Sequence, residues 1–174
     1  MKNLFFALFA IFAFTVFSGC EKDEEPAEPM IQNEFTYDGT STELAKGFLN
    51  NFGRNLNNTY DWDIFLTTEG ITKNGSRFAG EGSYLYLDVN TDSADGLVAG
   101  TYNWANTREN FTVVPGTVLS IDHNFSTQAG TTVRATGGTV EIAIDGMETT
   151  ITFNLTMENG KTVTGEWEGI LEDI

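Results

Sequence analysis

Thr139-Val140-Glu141-Ile142-Ala143-Ile144-Asp145-Gly146, Thr150-Ile151-Thr152-Phe153-Asn154-Leu155-Thr156-Met157 and Thr162-Val163-Thr164-Gly165-Glu166-Trp167-Glu168-Gly169 decide the fold. In each stretch the large apolar residues fall on every second position, with threonine, glutamate and asparagine between them. A period of two puts one set of side chains on one side of an extended chain, which makes a half-buried β-strand. Asp145-Gly146 and Asn159-Gly160 supply residues that tolerate positive φ, as tight hairpins require. The last third therefore reads as an antiparallel meander over 139–145, 147–158 and 161–171, with Trp167 buried between sheet layers.

Upstream, the same grammar recurs less regularly. Phe35 and Tyr37 precede Asp38-Gly39, and Trp62-Asp63-Ile64-Phe65-Leu66 precedes Glu69-Gly70. Tyr84 to Val89, Val118 to Asp122 and Thr131 to Thr136 beside Gly137-Gly138 add further strands. Glu43 to Asn50 admits a short helix, but Gly47 inside it and the absence of an apolar stripe longer than two turns argue against one. Eighteen glycines, abundant threonine and only 3 prolines suit a sheet with many corners. Gly165-x-Trp167-x-Gly169 and Gly100-Thr101-Tyr102-Asn103-Trp104 point to close strand approach beside large aromatics. The expected fold is all-β and antiparallel throughout, an antiparallel β-sandwich or flattened β-barrel of about 8–10 strands in one domain over 31–174.

The start of the chain has a different character. Lys2 precedes an apolar run from Leu4 to Phe17, and the composition turns acidic at Glu21. This reads as a secretory signal over 1–19, too short for a membrane span of about 20 residues. Phe17-Ser18-Gly19-Cys20 resembles the lipobox of bacterial lipoproteins, which implies cleavage before Cys20 and a lipid on its thiol. An ordinary secretion signal with an incidental cysteine is the plainer reading. Residues 20–30 form an acidic, proline-bearing tether. Its Lys22, Asp23, Glu24 and Glu25 resemble the surface-export signal of Bacteroidota lipoproteins, although a solubilising spacer accounts for the same run. With the early Phe35-Thr36-Tyr37-Asp38-Gly39 hairpin and the terminal Gly-Lys-Thr-Val-Thr-Gly-Glu-Trp-Glu-Gly strand, the chain is similar to small all-β lipoproteins of the Bacteroidota. That resemblance implies an outer-membrane, surface-exposed location and no particular activity.

Charge narrows the partners. The formal net charge is −16, and the basic residues, among them Lys46, Arg54, Arg77, Arg108 and Arg134, are dispersed. Nucleic acid is excluded as a partner, and the membrane is reached through the N-terminal lipid rather than through a basic surface. The single cysteine allows no disulfide within the chain.

Chemistry-bearing patterns are few. His123 is the only histidine, placed by alternation on the same side of its strand as Leu119 and Ile121. No His-x-x-x-His or cysteine pair offers a zinc set, and no spacing argument selects His123, Met147 or Met157 as a haem ligand. Asp61 and Asp63 share a strand face and flank Trp62 as outward polar residues; as a pair they are the only visible acid–base candidate. Asp88, Asn90 and Asp92 imitate the opening of a calcium loop, but Ser93 stands where the turn glycine belongs and Ala99 where the bidentate glutamate belongs. Asp92-Ser93-Ala94 fits the acceptor pattern for O-linked glycans in Bacteroidota, with Ser93 as acceptor. The favoured expectation is a protein without catalytic role or cofactor, binding a small molecule, glycan or protein through aromatics such as Trp62, Tyr84, Tyr86, Trp104 and Trp167. Core packing is the ordinary use of such alternating aromatics. The alternative is a glycan-directed hydrolase whose carboxylates converge only in space.

Overall fold

The computed structural model describes residues 30–174, so Cys20, Lys22, Asp23, Glu24 and Glu25 lie outside the described residues. The described chain is all-β. Its strands are β1 (Glu34–Tyr37), β2 (Thr40–Glu43), β3 (Lys46–Arg54), β4 (Tyr60–Thr67), β5 (Ile71–Asn74), β6 (Arg77–Thr91) and β7 (Gly100–Trp104). They continue as β8 (Thr112–Val113), β9 (Val118–Asn124), β10 (Ala129–Asp145), β11 (Glu148–Met157), β12 (Thr162–Gly169) and β13 (Glu172–Asp173). Among the described residues, no helix is long and apolar enough to cross a membrane.

The terminal meander is antiparallel and contiguous as expected, and its register sets Ile142 opposite Ile151 and Ile151 opposite Trp167. Three expectations need correction. There are 13 strands rather than 8–10, because segments of two to four residues such as β2, β8 and β13 pair without leaving a readable period. Pairing is not antiparallel throughout: β7 runs parallel to β8, and β13 parallel to β3. Thr131–Thr136 is the first half of the long β10, not a strand of its own. A register shift between Ala135 and Gly137 bends β10 there, and Gly138 adopts φ +113 where a Cβ would sit 2.1 Å from Asn154 O.

The helix option at Glu43–Asn50 resolves into the end of β2 and the first half of β3. Gly47 serves packing: a Cβ there would lie 2.5 Å from Cη2 of Trp167, and one on Gly169 would lie 2.8 Å from its Cζ2. The indole is 3% exposed, lodged where neighbouring backbone carries no side chain. The tight β1–β2 turn uses Asp38 and Gly39, both at positive φ.

The connected sheet runs β13-β3-β4-β6-β8-β7-β10-β11-β12-β1-β2, and β9 bridges β6 and β10 a second time. It folds over on itself. Trp62, Ile64 and Leu66 of β4 and Leu85, Leu87 and Val89 of β6 join Val140, Ile142, Ile151, Phe153, Leu155, Val163 and Trp167 from the other half in a single core. Each half therefore has an inner face on that core and an outer face turned away from it.

Candidate functional site

The outer face of β4 and β6 is where chemistry collects. Cross-strand partners share a face, so the register Asp61↔Asn90, Asp63↔Asp88 and Phe65↔Tyr86 lines these side chains up opposite the core-facing Trp62, Ile64 and Leu66. β3 adds Phe48 opposite Phe65 and Asn50 opposite Asp63. One part of this face is acidic, the next aromatic.

In the acidic part, ligand-capable oxygens of Asp61, Asp63 and Asp88 all lie within 4.8 Å of one another. Asp61 and Asp63 do face away from the core as the strand period requires, yet they are not open to water: they are 8% and 4% exposed. The cover comes from the segment between β7 and β8. Its Arg108 donates from Nη1 to Asp61 Oδ2 at 2.6 Å and Asp88 Oδ1 at 2.7 Å, and from Nη2 to Asp88 Oδ2 at 2.8 Å. Asn57 Nδ2 holds the Arg108 carbonyl at 2.6 Å, and Thr117 Oγ1 accepts from the Asp88 amide. Gly116 leaves the room Asp88 needs, since a Cβ there would lie 2.5 Å from Asp88 Oδ2.

One guanidinium cannot neutralise three buried carboxylates, and the acidities show it. Burial pushes the Asp63 carboxyl up to about 6, against the lowering effect of the 2.6 Å hydrogen bond it accepts from Tyr86 Oη, with nearby Asp61 adding to the rise. Burial likewise pushes Asp88 up to about 7, opposed by Arg108 and assisted by Asp61. Tyr86 is raised by burial and by its bond to Asp63. For Arg108, burial lowers the pKa, but its bonds to Asp88 and Asp61 outweigh that and raise it. Asp61 Oδ1 and Asn90 Nδ2 are buried without a partner. These oxygens are the ligand type a hard divalent cation takes, but the cluster already encloses a cation, the side chain of Arg108.

In the aromatic part, Phe65 touches Tyr86 at 4.8 Å between centroids, Phe78 at 4.9 Å and Tyr84 at 6.3 Å. Tyr84 continues to Phe125 at 5.8 Å and to His123 at 5.6 Å. All of these rings are half-buried, while Phe48 beside them is buried. The placement of His123 is a correction. Asp122 at φ +50 makes a bulge between Ile121 and His123, which flips His123 off the Leu119 side and sets it opposite Gly82, on the face of Tyr84.

The remaining expected residues divide accordingly. Trp62 and Trp167 belong to the core and half-buried Trp104 packs against it, so only Tyr84 and Tyr86 of the five aromatics stand on this face. Asp88 and Asn90 lie in β6, extended rather than gathered by a turn, and Asp92 is exposed beyond the strand; the three do not form a calcium loop. Ser93 is half-buried, its carbonyl accepting from Trp62 Nε1 and its Oγ from the Asp95 amide. Met157 is buried and Met147 exposed, neither near His123 in the sheet register. Arg108, Phe65, Phe78 and Phe125 were missed as site residues. The available signal was the content of the outward positions, Asp-Asp-Phe on β4 and Tyr-Tyr-Asp-Asn on β6, where a solvated strand carries threonine and glutamate.

No protein-family model matches this chain, and no curated protein or solved structure does either.

Proposed function

We propose that this chain is a non-catalytic binding module, anchored through a lipid on Cys20 in the outer membrane and exposed at the cell surface, with the outer face of β4, β6 and β9 as its ligand surface. The observation that carries the binding reading is the band of half-buried rings from Phe65 and Tyr86 through Tyr84 to Phe125. A sheet that already buries its other face in the core gains little from placing large rings outward unless something else covers them. The anchor rests on the apolar run ending in Ser18-Gly19-Cys20, and surface exposure on Lys22 to Glu25.

A carboxylate hydrolase is the second reading, favoured by the elevated Asp63 and Asp88. Against it, Arg108 takes both oxygens of Asp88 and one of Asp61, and Asp63 is 4% exposed, so the carboxylates do not flank an open cleft of the kind two-carboxylate hydrolysis requires.

Two experiments test the proposal. Cys20→Ser should abolish incorporation of a labelled fatty acid, and persistent labelling defeats the anchor. A panel of metals, haem, glycans and peptides should contain a ligand that raises the thermal midpoint of the full-length protein by mass action, an effect lost in Tyr84→Ala. Turnover of any polymer in that panel that disappears in Asp63→Asn without unfolding replaces the binding module with the hydrolase.

A further inference from the structure

We infer that Asp61, Asp63, Asp88 and Asn90, on the outer face of β4 and β6, form a site for a hard divalent cation, Ca²⁺ by preference, and that Arg108 holds the ion's place until it arrives. This goes beyond the binding-module reading and does not depend on what covers the ring band.

Sheet register makes the site. Asp61 and Asp63 stand two residues apart on β4, and their partners on β6 are Asn90 and Asp88, so one antiparallel pairing gathers three carboxylates and a carboxamide. One oxygen from each aspartate lies within 4.8 Å of the others, a spacing that a single Ca²⁺ spans with bonds of about 2.3–2.6 Å. Two strands supply these ligands, unlike a calcium loop drawn along the chain through Asp92.

Two orphaned atoms point to an ion. Among the described residues, the buried Asp61 Oδ1 has no donor and Nδ2 of the fully buried Asn90 has no acceptor. The Asn90 amide is at the cluster, because its Oδ1 lies 3.3 Å from Arg108 Nη1, and the 2.8 Å bond that Oδ1 accepts from Asn55 Nδ2 fixes which end is which. Buried polar atoms left unpaired are costly. A water molecule alone would satisfy both atoms but bring no charge, and three carboxylates around one guanidinium lack two positive charges. A divalent ion supplies that charge, takes Asp61 Oδ1 as a ligand and carries bound water as the acceptor for Asn90 Nδ2. The cluster offers oxygen, the ligand of hard ions. Mg²⁺ demands a near-ideal octahedron and dehydrates reluctantly, whereas Ca²⁺ accepts an irregular set.

Arg108 leaves a way in. Its side chain is 35% exposed, it belongs to the segment between β7 and β8, and it borders a hollow of about 290 Å³ lined by Asn55, Leu56, Asn57 and Thr107. The guanidinium can turn outward there while Asn57 still holds the Arg108 carbonyl, and the cluster exchanges one positive charge for two.

The test is thermal unfolding and titration calorimetry of the full-length protein in mild detergent, stripped with EGTA, at pH 8 and constant ionic strength. Ca²⁺ should raise the thermal midpoint by mass action with half-saturation at about 0.1–1 mM, and Mg²⁺ should raise it less. Asp61→Asn should weaken binding about tenfold or more, and Arg108→Gln, which removes the competing cation, should tighten it about tenfold, each equivalent to about 1.4 kcal/mol. Asp92→Asn should leave it unchanged. Tb³⁺ in place of Ca²⁺ should emit on excitation of Tyr86, whose Oη lies 2.6 Å from Asp63 Oδ1, and excess Ca²⁺ should abolish that emission. Should Arg108→Gln fail to fold even with Ca²⁺, Asp61→Asn and the Tb³⁺ emission decide alone. No heat and no shift with Ca²⁺, binding indifferent to Asp61→Asn, or weaker binding in folded Arg108→Gln overturns the inference. So does a shift equalled by Mg²⁺ or Na⁺ at the same ionic strength, which is screening of a protein of formal charge −16 rather than a site.

Discussion

The molecule has two outer faces, and they are built from opposite materials. On the half formed by β10, β11 and β12, the outward positions are Thr152, Asn154 and Thr156 of β11 and Thr162, Thr164, Glu166 and Glu168 of β12, mostly exposed. On the half formed by β3, β4, β6 and β9 they are Phe48, Asp61, Asp63, Phe65, Tyr84, Tyr86, Asp88 and Asn90, all buried or half-buried. The same period of two makes both. What differs is whether the outward set can be left to water, and where it cannot, the chain supplies a second cover: Arg108 over the acids, Phe78 and Phe125 beside the rings. A sheet buried on one face is scaffold. The rings and carboxylates on the second face are what support the proposal of a ligand surface there.

The largest loss of stability should come from removing a support common to both halves. Trp167→Ala should cost about 3–5 kcal/mol, because it opens a cavity between β12 and the backbone at Gly47; urea unfolding reads it, and a loss under about 1 kcal/mol would put Trp167 outside the core. Next in size is Arg108→Ala, which strips the acidic part of its cation. It should cost about 2–3 kcal/mol at pH 8, below the usual figure for a broken buried pair because the Arg108 side chain stays 35% exposed. The loss should shrink toward pH 5, where the carboxyls take up protons instead. An Arg108→Ala penalty that does not change with pH would deny that the cluster is short of positive charge.

A smaller effect separates the faces without mutation. In the fold Asp63 and Asp88 keep their protons up to about 6 and about 7, whereas an unperturbed carboxyl loses its proton near 3.8. Between those values the native state binds more protons than the unfolded chain, so these two groups make stability fall as pH rises from about 4 to about 7. The thermal midpoint should drop by a few degrees over that range, and Asp63→Asn should remove part of the slope. Thr152→Ala should leave the slope intact. The smallest contrast is direct truncation: Phe65→Ala on one face should cost about 1–2 kcal/mol, being half-buried, while Thr152→Ala on the other should stay within about 0.5 kcal/mol. Equal costs would mean the two faces are alike.

How much of this was legible in the sequence follows from the same contrast. β11 alternates buried and open positions almost without exception, and there strand and face are both readable from the sequence. β4 is buried at six of its eight positions, and the rest are half-buried, so its period carries no polarity signal and its outward acids read as solvated. The contact that hides them comes from Arg108, 47 residues from Asp61 and 20 from Asp88, in a segment with no periodic pattern. His123 was assigned to the wrong side for a more local reason. One residue at positive φ, Asp122, shifts everything after it to the opposite face, and aspartate gives less warning of that conformation than glycine does. The short β8 and β13 are visible only once their partners are in place.

The pairing of the chain's two ends governs when the fold can be completed. β1, at the beginning of the described chain, lies between β2 and β12, and β13, at its end, closes onto β3. A nascent chain that stops short of Thr162 has only β2 to set against β1 and no Trp167 to fill the space at Gly47. Docking of the β1–β2 hairpin must therefore wait for β12, and folding is dominated by contacts between residues far apart in order, which places it among the slower topologies, in about milliseconds to seconds. In a chain arranged this way the sheet is completed only once β12 and β13 are available to pair with β1 and β3.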